Sequence, residues 1–263
     1  MVYILKYKEF LIMEHILSCK NISLNYHTKQ GETRALDDIS FNINAGEFVS
    51  LVGPSGCGKT TILSIISSLI KPSGGSVVIK SKSTHPCGYM FQRDLLFPWR
   101  SILDNLLLGL EVQGKKTKEN VDYVINLAKK YGLGDFLHHM PNAISGGMKQ
   151  RASLFRTLAL KPEILLLDEP FSALDFQTRL DVCDDVYNII KSENKTAILV
   201  THDIHEAISM SDKVIVLSSR PAKVAKIVDI KFDKSLSPFE RREQAKFNTY
   251  FDQIWREMKR YEK

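Results

Sequence analysis

The sequence predicts an α/β fold: a mostly parallel sheet covered by helices and interrupted by a helical insertion. Three observations predict it. Short apolar runs alternate with stretches whose apolar residues recur at helical spacing. One such run, Phe48-Val49-Ser50-Leu51-Val52, passes straight into a glycine-rich loop and then into a helical pattern. From about Ser101 to Leu160 the strand pattern disappears, and it resumes at Ile164.

The elements follow in order. Phe48 to Val52 reads as a strand. Ile62, Leu63, Ile65, Ile66, Leu69 and Ile70 then recur at helical spacing, and Pro72 with Gly74-Gly75 ends that helix. Ser76 to Ile79 and Gly88 to Phe91 read as short strands. In the insertion, Leu103, Leu106, Leu107 and Leu110 make one helical stripe. Val121, Val124, Ile125 and Ala128 make another, broken at Gly132 and Gly134. A third helix is expected from about Met148 to Leu160, closed by Pro162. Strands return at Ile164 to Leu167, Ala197 to Val200 and Val214 to Leu217. Pro238 to Lys263 is a charged amphipathic tail. Phe247, Tyr250, Phe251 and Ile254 lie on one face of a helix expected to pack on the core.

The chain has 263 residues, enough for one large domain or two small ones. Its net charge of +6 fits a phosphate ligand, nucleic acid or an anionic membrane face, and does not choose among them. No apolar run approaches the ~20 residues that span a bilayer. Lys6, Lys8 and Glu9 interrupt the apolar start, which also lacks a small-residue cleavage site, so it does not read as a signal peptide. Met13 is a second candidate start, with residues 1–12 as an extension. Cys19, Cys57, Cys87 and Cys183 show no metal-binding spacing and read as reduced thiols of a cytosolic protein.

Gly53-Pro54-Ser55-Gly56-Cys57-Gly58-Lys59-Thr60 matches the phosphate-loop pattern in full, with a strand before and a helix after. Glycines let backbone N–H groups turn toward phosphate oxygens, and the helix points its positive end at the same anion. Lys59 is placed to reach the β and γ phosphates, and the Thr60 hydroxyl to bind Mg²⁺; Thr61 joins the loop residues that hold the nucleotide. Cys57, near that helix start, is expected to have thiolate character. The strand Ile164 to Leu167 ends in two acids. Asp168 is placed to hold Mg²⁺, and Glu169 to orient or deprotonate the attacking water. Taken alone, Asp168-Glu169-Pro170 could equally open a helix, because proline is favoured in a first turn. Ser145-Gly146-Gly147 is a second anion-binding helix start, with Ser145 as N-cap. One nucleotide needs only one such cradle in most folds, so the second points to a different nucleotide, for example one held by a partner copy.

Gly53 to Thr60, Ser145 to Arg151, Ile164 to Pro170, Ser172-Ala173-Leu174-Asp175 and His202 fall in the order seen in ATP-binding-cassette (ABC) ATPases. The resemblance spans about Ser18 to Val228. It implies a P-loop nucleotide-hydrolase core with a mostly parallel sheet, an N-terminal antiparallel β portion and a helical insertion. Residues 1–92 and 161–263 would form the nucleotide-binding core, and 93–160 the helical subdomain. It also implies head-to-tail pairing of two copies, with Ser145, Gly146 and Gly147 on the γ-phosphate in trans and Asp175 crossing the interface. Gln92 resembles the glutamine that touches Mg²⁺ and the attacking water. His202 resembles the histidine that contacts the γ-phosphate, and Tyr26 the aromatic that stacks on adenine; as a bare residue, Tyr26 reads equally as a surface tyrosine. The chain departs from the family pattern at Ala143, Ile144 and Phe155, expected on or near the helix's packing face, while Arg156 matches it.

The stretch Phe91 to Asn105 resembles importers of the nitrate, sulfonate and taurine type, a branch that includes uptake systems for pyrimidine precursors. Met148 points the same way. The resemblance therefore implies the ATP-hydrolysing, Mg²⁺-dependent subunit of a bacterial importer at the cytoplasmic face of the membrane. Its partners would be an integral membrane permease and, indirectly, an extracytoplasmic solute-binding protein, with no nucleic acid. Phe97, Pro98 and Trp99 are expected to wall the permease groove, or else to pack inside the insertion. A soluble cassette ATPase acting on nucleic acid or the ribosome is the alternative.

Overall fold

The computed structural model describes residues 15–28 and 31–261. The proposed extension at residues 1–12 lies outside them. Two sheets organise the chain. β1 (Leu17–Thr28), β2 (Gly31–Ile43) and β4 (Gly74–Ile79) form an antiparallel sheet in the order β2-β1-β4. The second sheet has the order β5-β6-β7-β3-β8-β9. It contains β3 (Phe48–Val52), β5 (Cys87–Met90), β6 (Ile164–Asp168), β7 (Thr196–Val200), β8 (Lys213–Leu217) and β9 (Val224–Asp229). All are parallel to their neighbours except β9, which runs antiparallel to β8.

β3, β6 and β7 are wholly buried, and successive side chains feed different cores. Leu165, Leu167, Ala197 and Leu199 pack against the helical insertion and α5 (Phe176–Ser192). Ile164, Leu166, Ile198 and Val200 pack against α1 (Lys59–Ile66) and the antiparallel sheet. Burial on both faces explains why these strands read as continuous apolar runs rather than alternating ones.

The insertion holds α2 (Ile102–Val112), α3 (Lys118–Lys130), two short 3₁₀ turns and α4 (Gly146–Leu158). Ser101 and Thr117 cap α2 and α3 through their side chains. α6 (Ile204–Met210) follows β7. The tail is two helices, α7 (Pro238–Arg242) and α8 (Ala245–Lys259). Phe247 and Ile254 of α8 are buried against α6, β8 and β9. Among the described residues no helix is long and apolar enough to cross a membrane.

Three expectations are corrected. α1 stops at Ile66: Ser68 turns to φ +63°, the Leu69 and Ile70 amides fold back on Ser64 O, and Leu69 is exposed. α4 begins at Gly146, two residues early, because Ser145 caps it directly. Ala143 is exposed rather than on the packing face of α4, whereas Phe155 is buried completely against Tyr131.

Candidate active site

The candidate residues gather where adjacent parallel strands end. β3 stops at Val52, just before the phosphate loop; β6 stops at Asp168. Gln92 lies just beyond β5 and His202 just beyond β7. Because β5, β6, β7 and β3 are neighbours, their carboxyl ends open onto one edge, the usual ligand crevice of open α/β sheets.

In the loop, Gly58 has φ +117°, and a Cβ there would lie 2.8 Å from Leu36 Cδ2. Only glycine meets both demands. Lys59 is buried, and its Nζ donates to Gly53 O at 2.8 Å and Pro54 O at 3.0 Å. Thr60 Oγ1 donates to Asp168 Oδ1 at 3.0 Å. The Tyr89 hydroxyl donates to Asp168 Oδ2 at 2.9 Å. Burial pushes the Asp168 carboxyl upward from its ordinary pKa, and the bonds from Tyr89 and Thr60 oppose that rise. A hydroxyl beside a carboxylate is a hard-oxygen donor set, which fits Mg²⁺. A cavity of about 530 Å³ opens beside them, lined by Ser55, Gly56, Gly58, Lys59, Thr60, Thr61, Glu169, His202 and Arg220. The exposed Tyr26 stands at its margin, its hydroxyl 3.3 Å from Thr61 Oγ1.

Glu169 occupies the left-handed region at φ +46°, sparsely populated for a residue other than glycine. Its N–H still donates to Val200 O at 2.9 Å, so the β6–β7 ladder holds the bend in place. Its Oε2 lies 3.1 Å from His202 Nδ1 and accepts from Gln92 Nε2 at 3.4 Å. Gln92 Nε2 also donates to Ser172 Oγ at 3.3 Å. This places a carboxylate on the cavity wall with two polar neighbours fixing one of its oxygens, an arrangement able to take a proton from water.

The second cradle lies apart. Ser145 Oγ accepts from Met148 N at 3.3 Å, capping α4. A Cβ on Gly147 would come within 2.9 Å of Val182 Cγ2, so glycine lets α4 approach α5. Ser145 and Gly146 are exposed. Asp175 caps α5, accepting from Thr178 N at 3.0 Å. Ser145, Gly146, Gly147 and Asp175 do not line the loop's cavity.

Cys57 overturns the expectation of thiolate character. Its side chain turns into the core beneath the loop, and burial raises the thiol despite the nearby Lys59. Sequence reasoning gave Tyr89 no role at the site, and it quoted Ser172 and Arg156 only as family matches, without the contacts they make here. The Arg156 guanidinium donates to Asp94 O and Leu95 O, each at 2.7 Å, tying the segment after Gln92 to α4. Tyr89 lies on β5, the strand that leads to Gln92 three residues on, the one signal that could have found it.

Fold and site together define a phosphate-loop ATPase. The profile of the ABC transporter family matches residues 36–172. The chain is 45% identical over 252 residues to the uncharacterized ABC transporter ATP-binding protein YtlC of Bacillus subtilis (strain 168), across 94% of this chain and 97% of that protein. It is 34% identical over 250 residues to the nitrate transport protein NasD of Klebsiella oxytoca, across 92% of this chain and 95% of that one. The dimeric post-hydrolysis structure of the ATP-binding cassette MJ0796 bound to ADP and Pi matches with TM-score 0.67 at 30% identity, over 82% of this chain and 100% of that chain. The chain belongs to the ABC transporter family and is an ATP-binding, ATP-hydrolysing cassette.

Proposed function

We propose that this cassette is the energy-coupling subunit of a bacterial importer for a small solute of the nitrate, sulfonate, taurine or pyrimidine-precursor type. It would sit at the cytoplasmic face of the membrane, held there by a permease that a solute-binding protein serves from outside. The similarity to NasD supports the branch. The observation that carries the permease contact is the Phe97–Trp99 pair. The rings stack with centroids 5.0 Å apart, and Trp99 is 71% exposed. Exposed stacked aromatics next to the Gln92 segment suit a partner helix better than solvent.

The loop amides, Lys59 and Thr61 bind the nucleotide phosphates, and Tyr26 takes the base. Thr60 and Asp168, with Gln92, would hold Mg²⁺, which would neutralise charge on the phosphates. Glu169 accepts the proton of the attacking water, oriented by Gln92 and His202. Ser145, Gly146 and Gly147 complete the site of a second copy, and Asp175 crosses between copies. The separation of these four residues from the loop's cavity supports this reading. ATP closes two copies on each other, closure moves the permease, and hydrolysis reopens them.

Affinity purification from detergent-solubilised membranes tests the assignment. An integral membrane protein of permease size should co-purify; recovery of DNA or ribosomes without one overturns it. Lys59→Ala should weaken ATP binding, and wild-type affinity would overturn the loop's role.

A further inference from the structure

The cavity beside the phosphate loop holds a cation that neither the motifs nor the hydrolytic chemistry above uses. Arg220 lies in the turn between β8 and β9, yet its Nη2 donates to Gly56 O in the middle of the loop at 3.0 Å. Its side chain lines the same cavity as Lys59, Thr60 and Glu169. A guanidinium has five N–H donors in a planar fork, and this bond uses one. Among the described residues Arg220 has no carboxylate partner, whereas Arg100 and Arg34 each have one.

The turn that carries Arg220 is rigidly seated. Ser218 N donates to Lys223 O at 3.0 Å, and Lys223 N to Ser218 Oγ at 2.9 Å. Ala222 then exchanges bonds with β2: its N–H donates to Ala35 O, and its carbonyl accepts from Asp37 N, both at 2.9 Å. Leu36, between those two residues, is the side chain that abuts Gly58. The loop and the arginine are therefore braced on the same stretch of β2. The charge also reaches the loop, since Arg220 is among the groups that favour the Cys57 thiolate against burial.

We propose that Arg220 is a second cation for the nucleotide's phosphate chain, acting beside Lys59. The proposal rests on Gly53–Thr60 being the nucleotide site. Its support is an unpaired guanidinium, pre-placed on a wall of the phosphate cavity. A planar fork can match two phosphate oxygens with parallel, bidentate bonds, whereas an ammonium acts as a compact point charge.

Binding of ATP and ADP to wild type, Arg220→Ala, Arg220→Lys and Lys59→Ala, at low and high salt, tests this. Arg220→Ala should weaken nucleotide binding about 3- to 20-fold at low salt, as expected for loss of a charged hydrogen bond at a partly solvated site. Arg220→Lys should lose less. Both deficits should shrink at high salt, and the melting temperature should stay at the wild-type value. Wild-type affinity in Arg220→Ala beside a clear loss in Lys59→Ala overturns this proposal and leaves the loop assignment standing. Wild-type affinity in Lys59→Ala overturns the loop assignment instead. Equal, salt-independent losses in Arg220→Ala and Arg220→Lys would make Arg220 a brace for the Gly56 carbonyl and also overturn the proposal.

Discussion

Tyr89 grips Asp168 on the oxygen that Thr60 leaves free, donating to Oδ2 at 2.9 Å while Thr60 holds Oδ1. The pair spans two neighbouring strands, β5 and β6, and fixes the plane of the carboxylate that faces the phosphate loop. Tyr89→Phe removes one of the bonds that oppose the rise of the Asp168 carboxyl. It should raise the Mg²⁺ concentration for half-maximal hydrolysis about tenfold, the lower end of the range for losing a hydrogen bond that orients a metal-binding carboxylate. A Mg²⁺ titration of ATPase rate reads this, and an unchanged midpoint would refute it.

Asp168 also carries a stability cost. Its folded carboxyl pKa is raised, so the folded state holds that proton more tightly than the unfolded chain does. The stability tied to this proton is present at low pH and is lost as pH rises through the folded pKa. At pH 7.5 the wild type therefore bears a buried charge that Asp168→Asn does not. The variant should melt about 2–4 °C higher for each 1 kcal/mol relieved, and the gap should close as pH falls into the carboxylate range. Hydrolysis should be lost. Equal melting temperatures at neutral pH would contradict the sign.

Glu169→Gln should slow hydrolysis by about 10²–10⁴-fold, as expected for removing a general base. It should also accumulate a dimer in ATP on size exclusion. A variant that stays monomeric at saturating ATP would count against the shared site.

Asn105 anchors the segment behind Gln92 from within. It is fully buried; its Oδ1 accepts from Phe97 N at 2.7 Å, and its Nδ2 reaches the carbonyls of Phe97, Arg100 and Ser101. Asn105→Ala strands those groups and should cost about 2–3 kcal/mol. Trypsin should then cut faster at Arg93 and Arg100, and unchanged cleavage would show the anchor to be dispensable.

Cys57 should be a poor target for thiol reagents. Native protein at pH 7.5 should label slowly at Cys57, and denaturant should release the thiol. Rapid native labelling there would restore the exposed thiolate expected from the sequence.

The phosphate loop, the acid pair after β6 and the serine-glycine helix start were legible in the sequence. Each is a contiguous set of residues whose chemistry demands that order and spacing. The parallel strands were legible because burial on both faces writes itself as an apolar run. The end of α1 was not, because Leu69 and Ile70 fit the helical period while Ser68 turns the backbone out of it. β9 and the long strands β1 and β2 carry mixed polar patterns, with register shifts that blur alternation. Tyr89 meets Asp168 across 79 residues, Arg156 meets Leu95 across 61, and Arg220 meets Gly56 across 164. Contacts at that separation leave no local signal, because packing rather than spacing brings the groups together. The sequence by itself determined what this protein does to ATP. The tertiary structure decided which thiol is hidden, which tyrosine steadies the acid, and which arginine stands beside the phosphate loop.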